Sequence, residues 1–346
     1  MSKSNFKIIE NILFTNTESE AYIKSGDYGS AAKLLLENQK LNWSQLAGGY
    51  ESLNSVKVKT FELDGFKLNV QFNPGRIVSS SAKVDAKSIQ ERKCFLCYEN
   101  LPAEQKGILY DHDYLILCNP FPIFPGHFTL PGINHFPQRI KESFKKLLAF
   151  SKDLSKYYTV FYNGPKCGAS APDHLHFQAG TKYFMPIDEE YFNLRTGHGE
   201  IILEEDELRV YGTDDGIRRF ISIEGNNEKQ IVKVFNRFYD IYDALIKNDD
   251  EPMMNMLSFY EQEKGWRIII FLRQKHRPSH YFEEGEKNIL LSPAAVDLGG
   301  VCITPLEKDF DRITKDLLVE IFQEVTIGKE YFDYVKTSLS KQLNVK

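Results

Sequence analysis

The chain has 346 residues, 42% of them hydrophobic and 26% charged, which is ordinary for a soluble globular protein of one large or two medium domains. Its net charge of -5 gives no footprint for a nucleic-acid duplex, and its longest apolar run, Ile268 to Leu272, is far too short to span a bilayer. Five cysteines without regular spacing argue against a disulfide framework, and Met1 to Phe6 opens no secretory signal, so the expectation is a cytoplasmic protein with reduced thiols.

In chain order, residues 1–50 read as a polar helical segment centred on Ala31 to Leu36 and ended by Gly48-Gly49. Alternating residues at 56–63 and 66–72, split by Asp64-Gly65, predict a hairpin. Strand signals follow at 108–118 and 127–131, then helical periodicity over 138–155 through Ile140, Phe144, Leu147, Leu148 and Phe150. Further strands are predicted at 157–162 and 174–179. The second part partly repeats this order: strands in 201–223, a helix at 228–247, a hairpin from Asn255–Tyr260 and Trp266–Leu272, and a helix at 306–325. Strands, a helix, then strands make an α+β fold around an antiparallel sheet with flanking helices. The predicted division is 1–50, 51–200 and 201–346.

The chemistry concentrates in Cys167-Gly168-Ala169-Ser170-Ala171-Pro172-Asp173-His174-Leu175-His176-Phe177-Gln178. In an extended strand His174, His176 and Gln178 share one face, with Leu175 and Phe177 behind them. Backbone N–H groups of the small-residue turn at Gly168 to Ser170 can approach an anion. A histidine beside a phosphate cradle is what nucleotidyl transfer needs. A second constellation, Cys94-Phe95-Leu96-Cys97, sets two thiols on one tight turn and fits a tetrahedral metal; a redox pair and two inert thiols are the competing readings.

His174-Leu175-His176-Phe177-Gln178 resembles the His-x-His-x-Gln motif of the histidine-triad superfamily, in its transferase branch of galactose-1-phosphate uridylyltransferases, diadenosine tetraphosphate phosphorylases and GDP-hexose phosphorylases. Asn119 to His127 resembles the Asn…Pro-Gly-His segment that precedes the motif, with His135 opening the next helix and Asn163-Gly164 before the Gly-Ala-Ser turn. Asn73 to Ser80 resembles an early segment of the uridylyltransferases. The resemblance is closest over about residues 70 to 180 and fainter beyond, at Arg273 to Pro278 and Ala294 to Gly300.

The resemblance implies two related halves, the first bearing the nucleophile. It assigns the nucleophile to His176, with Gln178 and Ser170 as donors to phosphate. Substrate contacts would come from Asn119, Asn163, Gly168 and Ala169, with Lys166, Arg273, Lys275, His276 and Arg277 toward the distal phosphate. It places a structural zinc ion on Cys94, Cys97, His135 and His174. The implied activity is cleavage of a nucleotide sugar or dinucleoside polyphosphate through a nucleotidyl-histidine, with phosphate or a sugar phosphate as acceptor. Gln178, and Leu175 where uridylyltransferases have proline, favour a phosphorylase. A hydrolase and a non-catalytic nucleotide-binding protein are the alternatives. The sequence leaves a homodimer open and encodes neither base nor sugar.

Overall fold

The computed structural model describes residues 9–77, 84–205, 207–247 and 251–344. The Met1 to Phe6 terminus and residues 78–80 of the Asn73 to Ser80 segment lie outside them. Thirteen strands are described: β1 (Lys57–Glu62), β2 (Lys67–Phe72), β3 (Gly107–Tyr110), β4 (Tyr114–Cys118), β5 (His127–Pro131), β6 (Tyr158–Asn163), β7 (His176–Thr181), β8 (Gly199–Glu205), β9 (Leu208–Asp214), β10 (Arg219–Gly225), β11 (Met254–Glu261), β12 (Gly265–Leu272) and β13 (Val301–Thr304). Ten form one antiparallel sheet in the order β3-β4-β5-β7-β6-β11-β12-β10-β9-β8.

That order contains the same motif twice. A three-strand meander leads through a helix into a hairpin whose second strand pairs with the third strand of the meander. In the first half the helix is Phe144–Asp153, and in the second it is Glu228–Ile246. The halves join at β6 and β11, where Asn163 faces Asn255. The strand equivalent to β7 is β12, and its eight residues contain no histidine.

Each face of the sheet needs a cover. The long helix Glu228–Ile246 buries Ile231, Val234, Phe235, Phe238, Tyr239 and Tyr242, a stripe at three- and four-residue spacing. Phe235 stacks on Phe144 of the equivalent helix at 3.7 Å between ring centroids. Burying each such ring stabilises the fold by roughly 1.5–3 kcal/mol. The other face carries Phe161, Leu257, Ile269 and Phe271 in a second core, shared with β2, β13 and the helix Ile187–His198.

The residues before β1 form helices Thr17–Lys24, Tyr28–Asn42 and Ser44–Ser52, the first two capped by Asn16 and Asp27. Gly48 and Gly49 do not end this region but lie inside the third helix. A Cβ on Gly49 would stand 2.2 Å from the Pro120 carbonyl oxygen, so glycine lets this helix press against the 120–122 loop.

The predicted hairpin β1–β2 turns at Asp64-Gly65, with Gly65 at φ +81°. It stays out of the large sheet and pairs in parallel with β13, tying the first half to the second. The helix expected over 138–155 begins only at Phe144, after a 3-10 turn Lys141–Ser143. His135 therefore opens no helix. Pro137 disfavours helical geometry at Phe136, whose carbonyl accepts the Leu175 N–H at 2.6 Å. The helix expected over 306–325 is two, Glu307–Arg312 and Lys315–Val325, separated where Thr314 caps the second. A last helix, Lys329–Leu343, was not expected. No helix among the described residues is long and apolar enough to cross a membrane.

Candidate active site

β7 begins at His176, one residue pair later than the alternation predicts, so His174 does not share its face. His174 sits in a turn closed by its N–H on the Ala171 carbonyl at 3.1 Å. His176 and Gln178 do alternate onto one face, with Leu175 and Phe177 in the core behind. Both line a cavity of about 720 Å³, the size range of small-molecule sites.

The His176 imidazole is only 3% exposed, and its Nδ1 lies 2.8 Å from the His174 carbonyl oxygen. A carbonyl only accepts, so Nδ1 carries the proton and Nε2 the lone pair. Burial pushes its pKa down to about 4, leaving the ring neutral at pH 7.

Gln178 is oriented by a chain of tautomers. The Ile123 N–H donates to His127 Nδ1 at 3.2 Å, so His127 Nε2–H donates to Gln178 Oε1 at 3.0 Å. The Gln178 NH2 end is thereby left for another acceptor. Burial, with the nearby Arg76 charge, pushes His127 down to about 3 and keeps it the neutral donor this chain requires. Tyr50, from the third N-terminal helix, clasps the His127 backbone: it accepts the N–H at 3.0 Å and donates to the carbonyl at 3.3 Å.

The turn before the motif closes the cavity. Gly168 holds φ +93°, and a Cβ there would stand 2.6 Å from the Ala294 Cβ of the second half. Gly168, Ala169, Ser170, Asn119 and Asn163 all line the cavity. Asn119 is also a turn residue: its Oδ1 accepts the Phe121 N–H at 2.9 Å and its Nδ2 donates to Thr129 Oγ1 at 3.3 Å. Asn163 Oδ1 accepts from Asn255 Nδ2 at 2.7 Å and from the Ala295 N–H at 2.9 Å, locking the halves together.

The second half supplies His276, Arg277, Leu290, Ser292 and Ala294 to the wall. Lys166, Arg273 and Lys275 are not in it. Lys275 pairs with Glu324 at 2.9 Å. Arg273 is 1% exposed and spends all five N–H groups inside the protein. Nε donates to the Val325 carbonyl, Nη1 to Asn255 Oδ1 and the Pro293 carbonyl, and Nη2 to the Lys275 and His276 carbonyls. It shapes the 273–276 and 293–295 segments and has no donor left for a phosphate. Arg273→Lys, with one compact ammonium in place of that fork, is expected to cost about 2–4 kcal/mol of stability. The check is the urea midpoint; an unchanged midpoint with weakened nucleotide binding would return Arg273 to the ligand.

Of two further cavity arginines, Arg76 lies in the Asn73 to Ser80 segment that the sequence marks by resemblance, whereas Arg92 carried no signal beyond its charge. Arg76 donates to the Phe121 carbonyl at 2.6 Å, and its buried Nε has no partner. Arg92 pairs with Asp173, and its buried Nη1 has no partner. Arg277 Nε and Ser292 Oγ are likewise without a partner. Buried donors are rarely left unpaired, so these four groups in the cavity wall are free to meet the oxygens of a ligand.

Beside the cavity, Cys94, Cys97, His135 and His174 bring their ligand atoms within 4.8 Å of one another. Sγ of Cys94 is 3.3 Å from His174 Nδ1, and Sγ of Cys97 is 3.1 Å from His135 Nδ1 and 3.6 Å from His174 Nδ1. A tetrahedron with sulfur ligands at about 2.3 Å and nitrogen at about 2.0 Å has edges of about 3.3–3.8 Å. The cluster fits such an ion. His174 Nε2–H donates to the Gly132 carbonyl at 2.7 Å, presenting Nδ1 to the cluster, and Asp173 stands 3.6 Å from His135 Nε2. Cys118, Cys167 and Cys302 are buried and unpaired.

A family model described as a domain of unknown function, DUF4922, matches residues 35–181, and one described as the GDPGP1-like C-terminal domain matches residues 196–346. No curated protein matches by sequence. In fold the chain is similar to yeast Ap4A phosphorylase Apa2, with a TM-score of 0.52 and 16% identity over 84% of this chain and 97% of that one. For the same yeast protein in complex with AMP the TM-score is 0.54, again at 16% identity, over 86% of this chain and 96% of that one. The two models part between β7 and β8, where the repeated strand motif itself divides, and the histidine motif stands in the first of them. The second half thus carries the GDPGP1-like C-terminal domain, the first half matches DUF4922, and the chain as a whole shares the fold of yeast Ap4A phosphorylase Apa2.

Proposed function

We propose that the protein is a nucleotide phosphorylase. It would transfer a nucleoside monophosphate from a nucleotide sugar or a dinucleoside polyphosphate to inorganic phosphate, by way of His176. The observation that carries this is the bond from His176 Nδ1 to the His174 carbonyl, which leaves a neutral Nε2 facing the cavity.

In the first step the Nε2 lone pair attacks the α-phosphorus. The bond from that phosphorus to the bridging oxygen breaks, and the sugar phosphate or nucleoside polyphosphate leaves with the electron pair. As positive charge develops on the ring, the Nδ1–H bond to the His174 carbonyl strengthens. The Gln178 amide, Ser170 and the Gly168–Ala169 backbone would donate to the non-bridging oxygens. In the second step a phosphate oxygen attacks the same phosphorus, the P–N bond breaks, and a nucleoside diphosphate forms. Arg277 and Ser292, with His276 beside them, would hold the distal phosphate. Arg76 and Arg92 would hold charge on the near side.

Cys94, Cys97, His135 and His174 would hold zinc, which when bound supplies a fixed structural anchor. His174 then serves twice: its ring in the cluster and its carbonyl on the nucleophile.

The test is intact mass after brief incubation with a panel of nucleotide sugars and dinucleoside polyphosphates, without acceptor. The expected result is a nucleoside-monophosphate adduct that phosphate discharges as the nucleoside diphosphate. Turnover by water alone would favour a hydrolase, and binding without an adduct from any donor would overturn the transfer mechanism.

A further inference from the structure

The β6–β7 ladder stops two pairs short of the nucleophile. Its last pair is Phe161 with Gln178; continued, it would pair Tyr162 with Phe177 and then Asn163 with His176. They do not pair. The side chain of Gln138, 1% exposed and outside the cavity wall, lies between them. Gln138 Oε1 accepts the His176 N–H at 2.7 Å. Its Nε2 donates to the His176 carbonyl and to the Asn163 carbonyl, both at 2.9 Å. One amide thus does for His176 what a neighbouring strand residue would do, and satisfies Asn163 as well.

The inserted group is itself held on both sides. The Gln138 N–H donates to the Pro172 carbonyl at 3.1 Å. Two residues later the Ile140 N–H donates to Glu251 Oε1, and Glu251 Oε2 accepts from Tyr162 at 2.6 Å. Glu251 is 4% exposed and precedes β11, so the second half reaches across to fix the segment that carries Gln138.

We propose that Gln138 is a positioning residue: its amide wedges β6 from β7 at the first residue of β7 and sets where His176 presents Nε2. Without it the buried backbone groups of His176 and Asn163 must either close the ladder, moving the imidazole, or stay unpaired. A displacement of about 1 Å at a reacting atom costs on the order of a hundredfold in rate. The proposal rests on His176 being the nucleophile.

The test compares wild type with Gln138→Met, which keeps the length and removes every side-chain hydrogen bond, and with Gln138→Glu, which keeps only the acceptor. Both are made in the full chain. In Gln138→Met, kcat and the rate of adduct formation are expected to fall about 10–100-fold while the donor KM changes less than about threefold. Gln138→Glu is expected to lie between Gln138→Met and wild type, and it carries the comparison if Gln138→Met does not fold. Hydrogen exchange at the His176 N–H, which needs no reaction, is expected to accelerate in both variants. A wild-type adduct rate in either folded variant would overturn the proposal and leave the nucleophile standing. Should wild type form no adduct at all, the nucleophile reading falls, and unchanged exchange at His176 would remove the wedge with it.

Discussion

His176→Ala is expected to leave the fold intact and to remove turnover. No adduct should form with any donor, and kcat should drop by about 10⁴-fold or more, equivalent to about 5 kcal/mol in the barrier. The size of the effect follows from what the ring does in the structure. It is the neutral group whose lone pair faces the cavity, and its other nitrogen is committed to the His174 carbonyl. Nothing next to it can substitute: Gln178 is not a nucleophile, and the His174 ring is turned toward the cysteines. The structural loss is small by comparison, one hydrogen bond of about 1 kcal/mol. Gln178→Ala makes the graded comparison. Its amide is one donor among several, so a loss of about 10²–10³-fold with the adduct still forming is expected. If His176→Ala keeps a rate within tenfold of wild type, chemistry at another group must be sought.

The distance over which a residue acts decided what the sequence could reveal. Alternation in β7, the Asp64-Gly65 turn and the stripe of Glu228–Ile246 are local patterns, and each was legible. So was the repeat of element order between the halves. The pairing of β6 with β11 and of β2 with β13 was not, because strand pairing is a non-local choice. Arg273 shows the same limit at one residue. In sequence it stands in a basic stretch, Arg273 to Arg277, and reads as a phosphate contact. In the fold its partners come from residues 255, 293 and 325, none of which marks it. Arg92 fails in the other direction, being an ordinary charge until the cavity surrounds it, while Arg76 was marked only by the segment it lies in. Gln138 is the extreme case. A glutamine after Pro137 has no local signature, and its role exists only because two distant strands stop pairing beside it. The Cys94–Cys97 pair was legible from spacing, but its convergence with His135 and His174 came from the family resemblance.

Removing the metal should be the largest single blow to stability. The purified chain is expected to carry about one equivalent of zinc. Stripping it, or Cys94→Ser, is expected to cost on the order of 4 kcal/mol, a fall of roughly 5–6 °C in Tm for a chain of this size. The cluster joins three segments, the Cys94–Cys97 turn, the irregular stretch after β5 that holds His135, and the turn that holds His174; the last two are also tied by backbone hydrogen bonds, so the Cys94–Cys97 turn has most to lose. Cys94 and Leu96 have only a small core of their own, shared with Ala171. Activity should fall too, by about 10–100-fold, although none of the four ligand residues lines the cavity. The reason is geometric. The residue whose ring would bind the metal is the residue whose carbonyl holds His176 Nδ1, so freeing the His174 ring loosens the carbonyl that fixes the nucleophile's tautomer. Metal analysis, thiol counting and a thermal scan on the same preparation separate the readings. One zinc with reduced thiols and a destabilised Cys94→Ser is the expected set. A Cys94–Cys97 disulfide would make the pair a redox element. No metal, together with a Cys94→Ser variant as stable and active as wild type, would leave two inert thiols and a His174 that acts through its carbonyl alone.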